Sequence, residues 1–340
     1  MDPFINISIV NIDKLRVEHM KSSSSTDTLL LPVSRGEISY HMRGKGPPVL
    51  LIIGYLARYT AWESQIDAFS KHFTTLAFDH IGLGESRGVV ATSMKDFTQD
   101  CLEVIQHFQW EKIHVVGVSM GGMIAQEFTL RYPRYVQSLT LIVTHPGGLR
   151  CLPPPVKGWP FFIKAQLARS AKKRIAALSH LLIPPNRLKH LDQALVYQRL
   201  AQEFTPRPPS KVRLSHLWAI IKHNTQKRLS TVKCPTLIIQ AQQDYLVHPR
   251  GSIRLKALIP HSQFLSVAEA GHGVIRQDPS PINESLLTFL LNHTPSKLIE
   301  QSDSSSNQIH LSESSGHESS IEQKTHKVEE NEMDEDKGCD

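Results

Sequence analysis

The chain has 340 residues, 40% of them hydrophobic, and a net charge of +6 at neutral pH, enough apolar content for one large domain with a sizeable core. No apolar run approaches the ~18 residues of a bilayer-spanning helix, and the start, MDPFINISIVNIDKL, carries an acid at Asp2 instead of the basic opening of a secretory signal. The four cysteines, Cys101, Cys151, Cys234 and Cys339, stand apart with no C-x-x-C pair, which argues against a zinc site or a disulfide framework and for a reducing, cytoplasmic setting.

Residues 1–28 contain a serine run, Ser22–Ser25, and little periodicity, and read as an extension. Leu29–Val33 and Ile38–His41 then read as two strands joined by a turn at Arg35-Gly36. Continuous apolar runs follow at Pro48–Ile53, Thr74–Phe78, Ile113–Gly117, Val136–Val143, Pro235–Ile239 and Gln263–Val267. Runs of that length without alternation are the mark of strands buried on both faces. Ser93 is placed to cap a helix with apolar positions at Phe97, Cys101, Val104, Ile105 and Phe108, and Met123, Ile124 and Phe128 recur in the same way after the Ile113 strand. Strands alternating with helices predict βαβ units and a mainly parallel sheet, mixed at the edge that holds the hairpin.

Residues 150–230 break that rhythm with prolines at 153–155, 184, 185, 206, 208 and 209, and with helical stretches at Ile163–Leu182 and Leu188–Glu203. They read as a helical cap inserted between two parts of the sheet domain, 29–149 and 231–295. Twelve lysines and arginines between Lys157 and Arg213 stand against only Asp192 and Glu203. Such a basic face predicts an acidic or phosphate-bearing substrate, or peripheral docking on an anionic membrane, against the plainer alternative of a solvated surface. Residues 296–340 are serine-rich and end in the acidic run Glu329–Asp336 without an aromatic residue, the composition of a disordered tail. That tail reads as a solubilising linker, as a segment that binds a protein partner, or as the acidic terminal signal of a translocated bacterial effector.

The strongest chemical signal is Gly117-Val118-Ser119-Met120-Gly121, placed where a buried strand ends and a helix begins. A serine on such a turn has its hydroxyl pushed out at the top of the sheet, and the turn leaves no room for side chains two positions away on either side. The Met120 amide and the helix N-terminus then point at a developing oxyanion. A serine nucleophile needs a base and an acid to orient that base. Asp244, in Ala241-Gln242-Gln243-Asp244, follows the fifth buried strand, and His272, flanked by Gly271 and Gly273, follows the sixth. Both loops leave the strand ends on the edge that carries Ser119. His80 and His248 are weaker candidates for the base. The second oxyanion donor is expected after the Pro48 strand, at Gly54-Tyr55, from the Tyr55 amide. Asp79 is read as holding a loop. His145, between sheet and cap, is a candidate substrate contact beside Gly54, with a structural role as the alternative. Trp159-Pro160-Phe161-Phe162 reads as a core patch of the cap or as an interfacial anchor, the core reading being preferred.

The stretches GVSMGGMIAQEFTLRYP, FDHIGLGES, AQQDYLVHP and GHGVIRQDP together resemble the α/β-hydrolase superfamily, most of all its esterase, enol-lactonase and haloperoxidase-like branch, over about residues 30–293. The resemblance implies a mostly parallel eight-stranded sheet with helices on both faces, a cap over the site, and hydrolysis of a small ester through an acyl-enzyme with no metal or organic cofactor. It implies no nucleic-acid partner. Two positions depart from the family pattern: Ile53 stands where a histidine often precedes the oxyanion residue, and Ile81 where the turn after Asp79 usually has an arginine. The same three residues would serve an enol-lactonase or a carbon–carbon hydrolase, and the fold also occurs as a catalytically silent binding protein.

Overall fold

A computed structural model describes residues 4–6, 29–148, 153–277 and 279–295. The tail expected at 296–340 and most of the extension at 1–28 lie outside the described residues. In chain order the strands are β1 (Phe4–Asn6), β2 (Leu29–Val33), β3 (Gly36–Arg43), β4 (Pro48–Ile52), β5 (Thr74–Phe78), β6 (Arg87–Gly88), β7 (Ile113–Val118), β8 (Val136–Ile142), β9 (Thr236–Ala241) and β10 (Gln263–Val267). They form one sheet in the order β1-β10-β9-β8-β7-β4-β5-β3-β2, with β6 paired to β3. Every pairing from β1 to β5 along that path is parallel, and β3 runs antiparallel to both β5 and β2. This is the expected mixed sheet, with the hairpin at one edge.

The eight longer strands coincide with the eight read from the sequence, because both faces of the sheet are covered. Leu50, Ile52, Val115 and Leu139 enter one core, and Val49, Leu51, Val116 and Val118 the other. Side chains alternate between faces, so two buried faces make a continuous apolar run. The two extra strands are short. Phe4–Asn6, inside the stretch read as an extension, pairs in parallel with β10, Phe4 opposite Phe264; three residues are too few for a period to show.

Helices α1 (Glu63–Phe69), α2 (Met94–His107) and α3 (Met120–Arg131) belong to the first part of the sheet domain. Ser93 caps α2 as expected, in a reciprocal pair in which Asp96 N–H donates to Ser93 Oγ (3.3 Å) and Ser93 N–H donates to Asp96 Oδ2 (3.0 Å). The cap holds α4 (Trp159–Leu167), α5 (Ala171–Leu182), α6 (Pro185–Leu188), α7 (Gln193–Phe204) and α8 (Ser210–Lys222), and α9 (Arg250–Leu258), α10 (Val274–Gln277) and α11 (Pro279–Asn292) complete the domain. α2, α3 and α9 pack on one face of the sheet and α1, α10 and α11 on the other. None of the helices among the described residues is long and apolar enough to cross a membrane.

The cap differs from the sequence reading in two places. The stretch Ile163–Leu182 is two helices, because Ser170 stops the run and caps α5 through the Lys173 amide (3.3 Å). Helix α8 leaves no single apolar stripe in the sequence, because its apolar residues lie on two faces: Val212 and Ala219 are buried, whereas Leu214, Trp218 and Ile221 are exposed. The chain leaves the sheet after β8 and returns where Gly147 and Asn224 form an antiparallel bridge at the root of the cap.

Candidate active site

Ser119 sits between the last residue of β7 and the first of α3, with φ 56° and ψ −121°. That left-handed backbone is strained for a residue with a side chain and must be held by its surroundings. Its N–H donates to Ile142 O (2.9 Å), and its carbonyl accepts from Thr144 Oγ1 (2.7 Å) and from the Gly122 amide (3.0 Å). The turn also needs bare backbone on either side. A Cβ at Gly121 would stand 2.0 Å from Ile52 O, and one at Gly117 would stand 2.4 Å from Gly121 O.

Asp244 and His272 come from the ends of the neighbouring strands β9 and β10. The Asp244 carboxylate is buried. Its Oδ1 accepts from the Leu246 and Val247 amides at 2.7 and 2.8 Å, and its Oδ2 faces His272 Nδ1 at 2.7 Å. A carboxylate flanked by two amides accepts, so Nδ1 carries the ring proton and Nε2 remains as the basic nitrogen. His272, Ser119, Gly54 and Tyr55 line one cavity of ≈ 130 Å³. Gly54 presses on the serine: a Cβ there would lie 3.0 Å from Ser119 Cβ and 3.5 Å from its Oγ. The Tyr55 amide follows directly. The Met120 amide opens α3, where the first amides of a helix find no acceptor within it and carry its positive end.

The other candidates fall into supporting places. His145 is buried and absent from the cavity wall: its Nδ1 accepts from the Gly147 amide (3.0 Å), its ring stands 6.4 Å from that of His223, and burial, with His272 nearby, pushes its pKa down to about 4. It belongs to the root of the cap. His80 is also buried, and its Nε2 donates to Ile53 O (3.1 Å), bracing the loop that leads to Tyr55 from beneath. His248 Nδ1 accepts from the Arg250 amide (3.2 Å) at the start of α9. Asp79 accepts from the Tyr59 amide (2.6 Å) and from Arg58 Nε (3.2 Å), which ties down the loop after β4; burial raises its pKa. The Trp159–Phe162 patch divides: Trp159 is 41% exposed, Phe161 stacks on His180, and Phe162 reaches the cavity.

The cap supplies a wall that sequence reasoning missed. Phe162, Ala165, Leu178, Leu181 and Phe204 make it apolar, and Arg174, Arg207 and Arg213 add charge. The sequence displays these arginines only as part of a basic segment; that they turn inward depends on how five helices fold over the site. Arg276 and Glu203 also line the cavity and pair with each other, joining α10 to α7.

A serine on a strand-to-helix turn, with an Asp–His pair beyond the ends of two later strands of the same parallel run, is the arrangement of the α/β-hydrolases. A family model described as alpha/beta hydrolase fold matches residues 47–279, and the chain belongs to that family. It is 27% identical over 266 residues to the "Putative carbamate hydrolase RutD" of Azorhizobium caulinodans, a match that covers 76% of this chain and 98% of the relative. Among solved structures it resembles the enol-lactonase from Burkholderia xenovorans LB400 (TM-score 0.68, 19% identity, 77% of this chain and 100% of that one). It also resembles a thermophilic esterase from Thermogutta terrifontis (TM-score 0.66, 22% identity, 79% of this chain and 100% of that one). At these identities the two structures share the fold.

Proposed function

We propose that the chain is a serine hydrolase that cleaves a carboxylic ester, lactone or thioester through an acyl-enzyme, with Ser119 as nucleophile, His272 as general base and Asp244 as the group that orients the base. The observation that carries this reading is the 2.7 Å Asp244–His272 contact beside a serine held on a strained turn in the same cavity. His272 Nε2 takes the Ser119 proton as Oγ attacks the carbonyl carbon, and the tetrahedral intermediate places its oxyanion against the Met120 and Tyr55 amides. One such donor is typically worth about 10²–10³ in rate. The imidazolium then returns its proton to the leaving oxygen, or to the leaving sulfur of a thioester. Water repeats the sequence in the second half: it loses a proton to His272 as it attacks the acyl carbon, and the imidazolium returns that proton to Ser119 Oγ as the acyl–oxygen bond breaks. Asp244 keeps Nε2 free and stabilises the imidazolium throughout.

A carbamate, the substrate class in the bacterial relative's name, presents a similar carbonyl to the same groups, and a lactone or a carbon–carbon bond beside a carbonyl extends the range. Labelling with a fluorophosphonate separates all of these from a silent binding protein. The native chain should take up the probe and the Ser119→Ala chain should not. Equal labelling of the two would remove Ser119 from the mechanism, and no labelling of either would favour the binding protein. Hydrolysis rates on esters, lactones and carbamates of equal size then rank the substrates.

A further inference from the structure

The cavity wall carries four arginines, Arg174, Arg207, Arg213 and Arg276, against one carboxylate, Glu203. Arg276 is spoken for: it pairs with Glu203 and donates to the carbonyls of Thr60 (2.9 Å) and Ala61 (3.2 Å). The other three have no carboxylate partner among the described residues. Arg174 donates to Phe204 O (3.1 Å) and Arg207 to Ala168 O (2.9 Å) and Gln166 O, which fixes their positions and leaves their charge uncompensated. Arg213 is less committed still. Its Nε is buried with no hydrogen-bond partner, while its carbonyl accepts from the Tyr55 hydroxyl (3.2 Å). That bond joins Arg213 to the residue whose amide is proposed for the oxyanion. The three guanidiniums also feel one another: burial first, then Arg207 and Arg213, hold the Arg174 pKa below its usual value, and burial and then Arg213 do the same for Arg207.

Three cations gathered on an otherwise apolar wall cost free energy unless an anion joins them. We propose that the cavity takes an ester that also carries a carboxylate, and that Arg213 holds this carboxylate with Arg207 and Arg174 adding to the field. The inference rests on the hydrolase reading above and narrows its substrate class. A guanidinium fork matches a carboxylate with two parallel hydrogen bonds, and the surrounding low-polarity wall strengthens them. The cost of desolvating an anion rises with the square of its charge, so against this largely apolar wall a singly charged carboxylate is preferred to a doubly charged phosphate.

The test compares the 4-nitrophenyl monoester of glutaric acid with the 4-nitrophenyl ester of methyl glutarate, which has the same chain length and no charge. The wild-type chain should favour the acid in kcat/KM by at least about tenfold, the scale of one charge-assisted pair. Arg213→Gln should lower the acid-to-neutral ratio by about tenfold, mainly through KM, Arg213→Lys by less, and Lys211→Gln, an exposed cation two residues away, should leave the ratio unchanged. A wild-type ratio near one, on a chain that hydrolyses the neutral ester, would overturn the carboxylate site and leave the hydrolase reading standing. If neither ester is cleaved, the fluorophosphonate labelling decides the hydrolase reading, and calorimetric binding of glutarate to the Ser119→Ala chain decides the anion site alone. Binding that weakens about tenfold on adding Arg213→Gln supports it, and no binding, or tighter binding of a phosphonate of equal length, overturns it. Should Arg213→Gln fail to fold, the Ser119→Ala chain is titrated with glutarate and with its uncharged diamide: preference for glutarate supports the site, and equal binding overturns it.

Discussion

The two sides of the cavity are built on opposite terms. On the sheet side the polar groups are committed: Asp244 accepts two amides and one imidazole, Ser119 is tied through its N–H and its carbonyl, and the turn leaves no room at Gly121. On the cap side Val156 and Leu167 are 85% and 75% exposed, and three arginines on the wall have no counter-charge among the described residues. The cap is nevertheless pinned to the chemistry. Gly158 packs so closely on the loop after Asp244 that a Cβ would lie 1.7 Å from Tyr245 O, and the Gly273 amide donates to Leu182 O at 2.8 Å. The sheet side has little latitude, and under the proposed hydrolysis that is the side that holds the reacting atoms, while the cap selects what approaches them.

The sharpest break in that comparison comes from Ser119→Ala, which deletes one hydroxyl and adds no volume. Turnover should fall by about 10⁴–10⁶ in kcat with an unchanged melting temperature, and retention of more than about a tenth of the activity would count against the assignment. Next in size is Gly121→Ala. Its methyl group meets the carbonyls of Ile52 and Ile53 at 2.0 and 2.7 Å, backbone that cannot step aside. A loss of about 1–3 kcal/mol or more in denaturant unfolding should accompany the loss of activity. Full stability in this variant would contradict the close fit.

Acid should separate the two regions. Burial lowers the pKa of His80 and His145 from 6.5 to about 4 and of His216 and His223 to about 3. The His80 and His216 rings, one from the sheet domain and one from α8, stand 5.9 Å apart; His145 and His223 face each other at the root of the cap. Each imidazole binds a proton more readily in the unfolded chain than in the folded one. Their contribution is therefore fully present above about pH 6.5 and is lost as the pH falls toward 4. We expect the melting temperature to drop over that range, with activity failing before the sheet's circular dichroism. His216→Phe should flatten the dependence by up to one proton per molecule. A melting temperature level from pH 7 to 4.5 would refute this.

Smaller effects test the edges. His114 donates and accepts between Ser138 Oγ (2.7 Å) and Thr294 Oγ1 (3.0 Å), all buried. Thr294→Val leaves one imidazole nitrogen without a partner and should cost about 1–3 kcal/mol in urea unfolding. The domain's last required residue would then be Thr294, so a chain cut after Pro295 should fold and one cut after His293 should be weaker. Least of all, Leu167→Ser on the outer face of the cap should change stability by no more than about 0.5 kcal/mol. A larger loss would mean that this face is not free.

The sheet and the serine turn are legible in the sequence, because both are written in contiguous residues. Runs such as Pro48–Ile53 are apolar throughout when both faces are covered, and Gly117 and Gly121 are demanded by backbone a few ångströms away. The sequence also points to Asp244 and His272, since each follows a strand whose end must lie beside Ser119. What the tertiary structure alone decided involves residues far apart in the chain. The three residues of β1 acquire meaning only beside β10, and the divided faces of α8 only once one of them is buried. His145 follows the end of β8, between sheet and cap, and stands behind the cavity wall. Arg174, Arg207 and Arg213 belong in the sequence to a basic face open to an acidic substrate, an anionic membrane or solvent, and the packing of the five cap helices brings them to the wall of the cavity that Ser119 also lines. A local pattern records how a segment meets its neighbours in the chain; which side of a helix faces a cavity is set by long-range packing, and no local pattern records that.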